Sequence, residues 1–375
     1  MTPQKQLNVF TDFHHAGLLN SLIMLFEGRL GGNLYRPIGE EWYKQGFWHI
    51  YDHPATVQQY LGIGGATPDG SPKLNEVEAW VGEGIGRSIP GDGITSRATD
   101  ATVYYCKDIE GDKTNKAITL DGFLHLPIDI VIASIPQHLE PFKKLCELHP
   151  NKPKLVYQIG NAWNVDPNSV KNVMASAIIP NIPEGINFVS YHQEFDLSTF
   201  HPQDFSKLPG KNIYSFVNCF NTQDHFSQDW RLFLQLEQLM DDWNFKSFGG
   251  QCRDGNCNGS QEVADKMRES AFIWHTKAGG DGFGHVIHSA VATGKPLIVK
   301  KEYYRGKMAE ALLEDGVTCL TIDSLTPGQI ADKIELYGLQ ENYSMLCREA
   351  YERFRVIVDF DQEEKDLRNF LDKLL

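Results

Sequence analysis

Short apolar runs alternate with amphipathic segments along the first half of the chain. The apolar runs predict strands at 7–11, 102–106, 128–134, 154–159, 173–178 and 186–191. One helix is predicted at 138–148, and another on five apolar residues at helical spacing, namely Leu19, Leu22, Ile23, Phe26 and Leu30. Strands that alternate with helices are typical of βαβ units and a mostly parallel sheet.

The alternation restarts after a polar stretch with two prolines at 196–211, which is the predicted linker. Strands are then predicted at 212–217, 245–248, 271–274, 297–299 and 317–322, and helices at 228–240, 261–270, 307–313 and 327–336. The tail, 340–375, is predicted to be helical with charged faces. The pattern therefore indicates two successive α/β domains, which leave a cleft between sheet edges where ligands commonly bind.

Two segments of the first half depart from this alternation. Residues 62–93 contain nine glycines and three prolines, which predicts an irregular excursion of the kind that often carries substrate loops. Residues 36–53 are rich in aromatic side chains, namely Trp42, Tyr43, Phe47, Trp48 and Tyr51. These rings fit either the core face of a helix or a platform on which a sugar or a base stacks.

Residues 271–299 read AFIWHTKAGGDGFGHVIHSAVATGKPLIV, which is a strand, a glycine-rich turn, an amphipathic helix and a second strand. Glycine allows the backbone to approach a ligand closely, and the start of a helix presents unpaired N–H groups and a positive dipole end. A diphosphate suits such a site, although the same glycines would also serve a plain tight turn. Lys277 and the amides of Gly282–Gly284 are therefore candidates to stabilise a leaving phosphate.

The stretch DGFGHVIHSAVATGKPLIV resembles the donor-site motif of two-domain nucleotide-sugar glycosyltransferases, E-G-F-G-x4-E-A-x-A-x-G-x-P. Asp281, Gly282, Phe283, Gly284, Ala290, Ala292, Gly294 and Pro296 match it or nearly match it. The segment LLEDGVTCLTID at 312–323 also resembles the segment that follows in the family. The match covers about the last third of the chain, and the first half agrees only in its α/β pattern and length.

The resemblance implies an α/β chain of two Rossmann-like domains that face each other across a cleft, the B-type glycosyltransferase fold. It implies an acceptor-binding domain at 1–200, a donor-binding domain at 201–339, and a helical tail at 340–375 that packs back on the first domain. The implied activity is the transfer of a hexose-like sugar from a nucleotide-diphospho-sugar to an acceptor hydroxyl. The implied donor-binding residues are Gly279, Gly280, Asp281, Gly282, Phe283, Gly284, His285 and Ser289.

The motif departs from the family at two acidic positions. Ser289 replaces the second glutamate, whose carboxylate holds ribose hydroxyls in the family, with one shorter and neutral group. His288 and Glu302 are candidate substitutes. Asp281 shortens the first glutamate, and its place before the helix also suits an N-cap. In addition, no Arg/Lys pair follows 212–217, so Lys277, with Arg231, Lys300 or Lys301, would have to neutralise a diphosphate.

Composition limits the partners that the chain can bind. A net charge of −14 argues against a surface that grips nucleic acid as a whole, although a local basic cleft is compatible with it. Seven irregularly spaced cysteines indicate reduced thiols and a cytoplasmic protein. No apolar run is long enough to span a bilayer, and the polar start is unlike a signal peptide. The Asp-x-Asp pair of Asp359 and Asp361 lies far from the glycine turn, so no metal site and no cofactor beyond the nucleotide sugar are expected.

The sequence TDFHHAG at 11–17 supplies the candidate groups for the acceptor. An inverting transferase needs a general base, and His14 or His15 would suit that role with Asp12 to orient the ring. In a retaining transferase the donor phosphate can take the proton, and these histidines would only bind hydroxyls. They could also be exposed residues at a capped helix start.

Further acceptor-binding candidates are His138, which follows the strand at 128–134, and Tyr191, His192 and Glu194 near the domain crossing. The acceptor class stays open among a small molecule, a glycan and a modified base in DNA. Two rival functions also stay open, a nucleotide-sugar epimerase of the same fold and a non-catalytic sugar- or nucleotide-binding protein.

Overall fold

The computed structural model describes residues 6–12, 16–37, 42, 104–107 and 114–375, and the chain divides into two compact units. Unit 1 comprises Met1–Glu194 together with Phe360–Leu375, and unit 2 is Phe195–Asp359. The predicted excursion at 62–93, and all of the aromatic segment except its first two residues and Trp42, lie outside the described residues. Within the described ranges no helix combines the length and apolar character that crossing a membrane requires.

Unit 1 is built on a sheet whose described strands run in the order β3-β4-β2-β1-β5-β6-β7-β8. All neighbours pair in parallel except β3, which pairs antiparallel with β4 at one edge. The bounds are β1 Asn8–Thr11, β2 Asn33–Pro37, β3 Tyr104–Lys107, β4 Thr114–Ile118, β5 Ile130–Ala133, β6 Lys154–Ile159, β7 Asn172–Ala175 and β8 Asn187–Ser190.

Helices of unit 1 cover a sheet that is buried on both faces. They are α1 Ala16–Ile23, which continues as the π-helix Met24–Arg29, α2 Leu120–His125 and α3 Leu139–Leu148. Successive residues of β1 enter opposite cores, since Val9 packs with α1 whereas Phe10 packs with Trp42. The indole of Trp42 stacks on Phe10 at 5.0 Å and donates to the carbonyl of Ile118. Burial on both faces explains why the central strands are continuous apolar runs.

Unit 2 repeats this design with a parallel sheet in the order β10-β9-β11-β12-β13. The strands are β9 Asn212–Ser215, β10 Asn244–Ser247, β11 Phe272–His275, β12 Leu297–Val299 and β13 Cys319–Thr321. The helices are α4 Ser227–Leu239, α5 Gly259–Glu269, α6 His285–Ala292, α7 Pro327–Gly338 and α8 Gln340–Ile357. The helix predicted at 307–313 is instead the short 3-10 helix Met308–Leu312.

The predicted linker and tail divide differently between the two units. The stretch 196–211 belongs to unit 2, where Phe200 is buried and Phe205 packs against the core. α8 also belongs to unit 2, because Tyr343 is buried in that core. The last helix, α9 (Phe360–Leu374), belongs to unit 1, and its apolar residues Leu367, Phe370, Leu371 and Leu374 join the core beside α1.

Arg29 holds α9 beside the two points where the chain passes between the units. Its Nε lies 2.8 Å from both carboxylate oxygens of Glu194, and its Nη1 lies 2.7 Å from Asp361. The guanidinium also sits over the ring of Phe360 at 5.7 Å. The guanidinium of Arg29 therefore links Glu194, the last residue before unit 2, to Asp361, which lies just after unit 2.

We expect Arg29→Met to loosen α9, because the side chain of Glu194 is only 10% exposed and would lose the cation that binds both of its oxygens. A loss of about 1–3 kcal/mol would raise amide exchange in α9 by about 5- to 150-fold. Hydrogen exchange of the peptide covering 360–374 measures this. Arg355→Met is the matched control, since its pair with Glu352 is exposed on both sides, and equal exchange in the two variants would contradict the assignment.

Candidate functional site

The order of strands in unit 2 defines where its sheet can receive a ligand. From β9 the chain moves outward to β10, and it then returns to the other side of β9 to form β11. The segments that leave β9 and β11 therefore diverge at the carboxyl edge of the sheet. Open α/β sheets bind ligands at such a switch point. The glycine-rich turn begins directly after β11, so it occupies this position.

The turn after β11 depends on glycine for its backbone path. Gly279, Gly280 and Gly284 adopt φ of 80°, 61° and 87°, in the left-handed region that other residues avoid. Gly279 is exposed, and a Cβ placed on it would meet no atom within 4 Å. A Cβ on Gly280 would lie 2.2 Å from the carbonyl oxygen of Tyr303. The turn is therefore open on one side and pressed against the segment after β12 on the other.

We expect Gly280→Ala to destabilise unit 2 more than Gly279→Ala. Both changes incur about 1–2 kcal/mol for a left-handed alanine, but only the first also forces the backbone at Tyr303 to move. Thermal unfolding of the two variants against the wild type measures the difference. Equal melting temperatures for the two variants would show that the turn does not press on this segment.

Charged side chains surround the open side of the turn. Lys277 donates to Asp281 Oδ1, and His275 Nε2 lies 3.3 Å from Asp281 Oδ2. Burial alone would raise the pKa of Asp281, but the hydrogen bond from His275 and the charge of Lys277 outweigh it and hold the pKa well below its ordinary value. Lys307 donates to the carbonyl of Gly279 from the other side. The turn thus brings two ammonium groups and one carboxylate together.

Unit 1 has a second polar cluster at the equivalent place in its own sheet. The chain runs from β1 to β2 on one side and returns to β5 on the other side of β1, which makes β1 and β5 the switch point. Asp12 follows β1, whereas Ser134 and His138 follow β5. Asp12 Oδ2 accepts from the backbone N–H of Ser134 at 2.9 Å and lies 2.7 Å from His138 Nδ1, and the Ser134 hydroxyl donates to Oδ1.

The contacts of Asp12 fix the tautomer that His138 adopts when its ring is neutral. A carboxylate only accepts hydrogen bonds, so Nδ1 carries the proton, and Nε2 of the neutral ring keeps its lone pair. The side chains of Asp12 and His138 are 4% and 2% exposed, so both are held rigidly. In the described part of the chain Nε2 has no hydrogen-bond partner. A hydroxyl that reached this buried nitrogen would therefore meet one oriented imidazole acceptor.

The fold of the chain is similar to those of solved glycosyltransferases over nearly its full length. HepE of Anabaena in complex with UDP-glucose is 12% identical, with a TM-score of 0.56 over 98% of this chain and 100% of that one. A glycosyltransferase of Rickettsia africae gives 12% identity and 0.57 over 98% and 99%. An alpha-glucosyltransferase in complex with UDP and a 13-mer DNA containing an HMU base gives 8% identity and 0.59 over 98% and 100%.

The chain has the B-type glycosyltransferase fold. The fold class predicted from the sequence, two parallel-sheet α/β domains, is thereby confirmed. No protein-family model matches the sequence, and the comparison with curated proteins gives no significant match. At these identities the structural similarity establishes the fold alone. The chemistry therefore has to be inferred from the two polar clusters, around Asp281 in unit 2 and around Asp12 in unit 1.

The remaining donor candidates lie on and beside α6. Phe283 is 4% exposed and stacks on His288 with ring centroids 4.1 Å apart, and it meets His285 edge-on at 4.9 Å. His288 also lies 2.9 Å from the carbonyl of Gly284 through Nδ1. The contacts among these rings hold the first turn of α6 in place directly after the glycine turn. Ser289 is 6% exposed in the next turn of the helix, and the donor roles of these residues remain predictions.

The acceptor candidates divide between the Asp12 cluster and the contacts of α9. Asp12 and His138 come together, whereas His14 and His15 lie outside the described residues. Tyr191 is buried in the core beside α1, and the backbone N–H of His192 donates to Glu363 of α9 at 2.9 Å. Glu194 binds Arg29, as described above. The last three residues thus stabilise the docking of α9, and an acceptor role for them remains a prediction.

Two contacts around the glycine turn have no direct signal in the sequence. Lys307 reaches Gly279 from 28 residues further along the chain. Lys300, which was considered as a phosphate ligand, is instead paired with buried Asp229 at 2.7 Å. No local motif marks either contact, because both depend on how the short helices after β12 fold back on the turn. For the contact of Lys300, the sequence signal available was Asp229 in the first turn of α4.

Proposed function

We propose that this chain transfers a sugar from a nucleotide-diphospho-sugar to an acceptor hydroxyl. The observation that carries the proposal is the turn Gly279–Gly284 at the switch point of unit 2, where lysines and a helix start meet on an exposed backbone. HepE has UDP-glucose bound on the same fold, which supports a nucleotide sugar as the donor.

The turn would act on the leaving group of the donor. Charge develops on the diphosphate as the glycosidic bond breaks, and fixed cations and amides stabilise that charge without reorganising. Lys277 is 34% exposed beside the open face of Gly279, so its ammonium can reach a phosphate while Asp281 limits its motion. Because lysines supply this charge, we propose a reaction that needs no metal ion and whose rate EDTA leaves unchanged.

The cluster of unit 1 would act on a substrate hydroxyl. His138 presents the lone pair of Nε2, and Asp12 keeps the ring in the required tautomer. The hydroxyl could lose its proton to this nitrogen or only donate a hydrogen bond to it, and the anomeric form of the product distinguishes these two mechanisms. In an inverting reaction the imidazole of unit 1 would take the proton of the hydroxyl. In a retaining reaction the donor phosphate would take it, and the imidazole would only bind the hydroxyl.

Purified protein incubated with UDP-, ADP-, GDP- and dTDP-sugars tests the proposal. One donor should stabilise the fold by about 2.7 kcal/mol when it is present at a hundred times its dissociation constant. That donor should also release its nucleoside diphosphate when a pool of sugar acceptors is added, and mass spectrometry identifies the product. Epimer formed without acceptor, binding without turnover, or no binding at all would each contradict a transferase.

A modified base in DNA is the second candidate acceptor. The alpha-glucosyltransferase of the same fold has a 13-mer DNA with an HMU base bound, and an enzyme that modifies a base must take it out of the stack. The net charge of −14 opposes this candidate, because DNA binding needs clustered cations. Transfer to a duplex carrying a hydroxymethylated base, with a rate that falls steeply with salt, would favour DNA over a small sugar.

The cellular location of the reaction is also a proposal. All six cysteines whose side chains the structure describes are free thiols, which supports a reducing compartment. We therefore place the transferase in the cytoplasm. Fractionation of the native host with an antibody to the chain tests this location.

A further inference from the structure

The proposed donor carries a diphosphate, whose charge needs cations nearby. The segment after β9 is one place at the carboxyl edge of unit 2 where such cations could lie. Between Lys211 and Arg231 the chain has neither lysine nor arginine, so the segment that leaves β9 supplies no permanent cation. Lysines are found instead in the segments that follow β11 and β12. Three lysines of these segments have contacts at the carboxyl edge, namely Lys277, Lys300 and Lys307.

Two of these lysines already have carboxylate partners. Lys300 lies 2.7 Å from Asp229, a residue only 1% exposed, and the phenol of Tyr303 lies 3.1 Å from the same ammonium. Removing Lys300 from this pair would leave a buried charge alone, so Lys300 is held in place. Lys277 is paired with Asp281, although both remain partly exposed.

Lys307 differs from both because its described partner is neutral. Its ammonium donates to the carbonyl of Gly279, and it forms no ion pair with any carboxylate in the described ranges. Burial lowers the pKa of Lys307, the charge of Asp281 opposes this effect, and the charge of Lys277 adds a smaller lowering. Its Nζ lies 3.0 Å from the position of a Cβ on Gly280. An ammonium group without a counter-ion thus lies against the most exposed bend of the turn.

We propose that Lys307 is the second cation of the diphosphate site, and that its ammonium moves from the Gly279 carbonyl to a phosphate oxygen when the donor binds. The inference rests on the proposed function and adds a residue to its donor site. Lys277 and Lys307 would then flank the diphosphate from the segments after β11 and β12. Asp281 offsets only one of the two positive charges, so the site is complete only with an anion.

Isothermal titration of UDP and of uridine into wild type and Lys307→Met tests the inference, with ADP, GDP and dTDP and their nucleosides as further pairs. A lost charged contact should weaken diphosphate binding at least about 10-fold, because such hydrogen bonds contribute about 1.5–3 kcal/mol. Nucleoside binding should stay unchanged, since the nucleoside has no phosphate. Lys307→Arg should recover most of the affinity by keeping the charge.

Lys266→Met is the control for net charge, because Lys266 lies in unit 2 but is paired with Glu269 on α5. It should bind the diphosphate as the wild type does. If Lys307→Met also binds it as the wild type does, the inference fails while the donor proposal stands. If the wild type binds none of the nucleoside diphosphates, both fail. An equal loss for nucleoside and diphosphate would indicate a structural role for Lys307 and would also overturn the inference.

Discussion

Replacing Lys277 with methionine is expected to lower kcat for sugar transfer by about 100- to 1,000-fold. This is the usual effect of removing one fixed donor from a developing anion, about 2.7–4 kcal/mol of transition-state stabilisation. The methionine keeps the length of the side chain and removes its charge, so the leaving diphosphate would lose a cation at the open face of Gly279. Release of nucleoside diphosphate at saturating donor measures kcat directly.

The partner of Lys277 provides the controls for this prediction. Asp281→Asn removes the carboxylate that Lys277 and His275 contact, so it should lower kcat less than Lys277→Met while leaving the cation present. Lys277→Arg should keep more activity than the methionine variant because it keeps the charge. Activity of Lys277→Met above about a tenth of the wild type would remove this residue from the leaving-group site.

The low pKa of Asp281 determines the range of pH in which Asp281 and Lys277 form an ion pair. A carboxyl group whose pKa is lower in the folded state adds stability above its unfolded pKa, and that stability is lost as the pH falls toward the folded value. Asp281 therefore stays ionised through neutral and mildly acidic solution. Its contact with Lys277 should persist across the whole range in which transfer is assayed.

The glycine turn could be predicted because its determinants are consecutive in the sequence. An apolar strand, a turn with four glycines and an amphipathic helix lie within 271–299, and each restricts the local backbone conformation. The strands β2 and β4 were not predicted, because their sequences lack such local signals. The sequence NLYRP of β2 ends in a proline, and TNKAI of β4 is mostly polar, so neither forms the continuous apolar run that marks the central strands.

The pairing of Asp12 with His138 could not be predicted from local pattern. The two residues are 126 positions apart, and they meet only because β5 returns to the side of β1 opposite β2. Each residue was a separate candidate, since each follows an apolar strand, but the aspartate was assigned to orient His14 or His15. Lys307 gave no signal of this kind because it does not follow an apolar strand directly and lies between two short 3-10 helices.

We expect Asp12→Asn to lower kcat/KM by at least about 100-fold, close to the effect of His138→Ala. An asparagine can place its amide oxygen where Oδ2 lies and its amide nitrogen toward the Ser134 hydroxyl, but it removes the negative charge beside the ring. That charge stabilises the imidazolium that forms when Nε2 takes a proton, and loss of a competent base usually costs about 10²–10⁴ in rate. Steady-state rates of both variants at saturating donor, with acceptor varied, give this comparison.

Donor binding separates this chemical role from a structural one. Loss of the acceptor on Nε2 should lower the rate of transfer and leave the affinity of unit 2 for the nucleoside diphosphate unchanged. A variant that only loosened the fold would weaken that binding as well. Ser134→Ala supplies the matched structural control, because it removes one hydroxyl contact of Asp12 and leaves His138 in place. If Asp12→Asn and His138→Ala both retain nearly full activity, the imidazole of unit 1 does not contact the reacting hydroxyl.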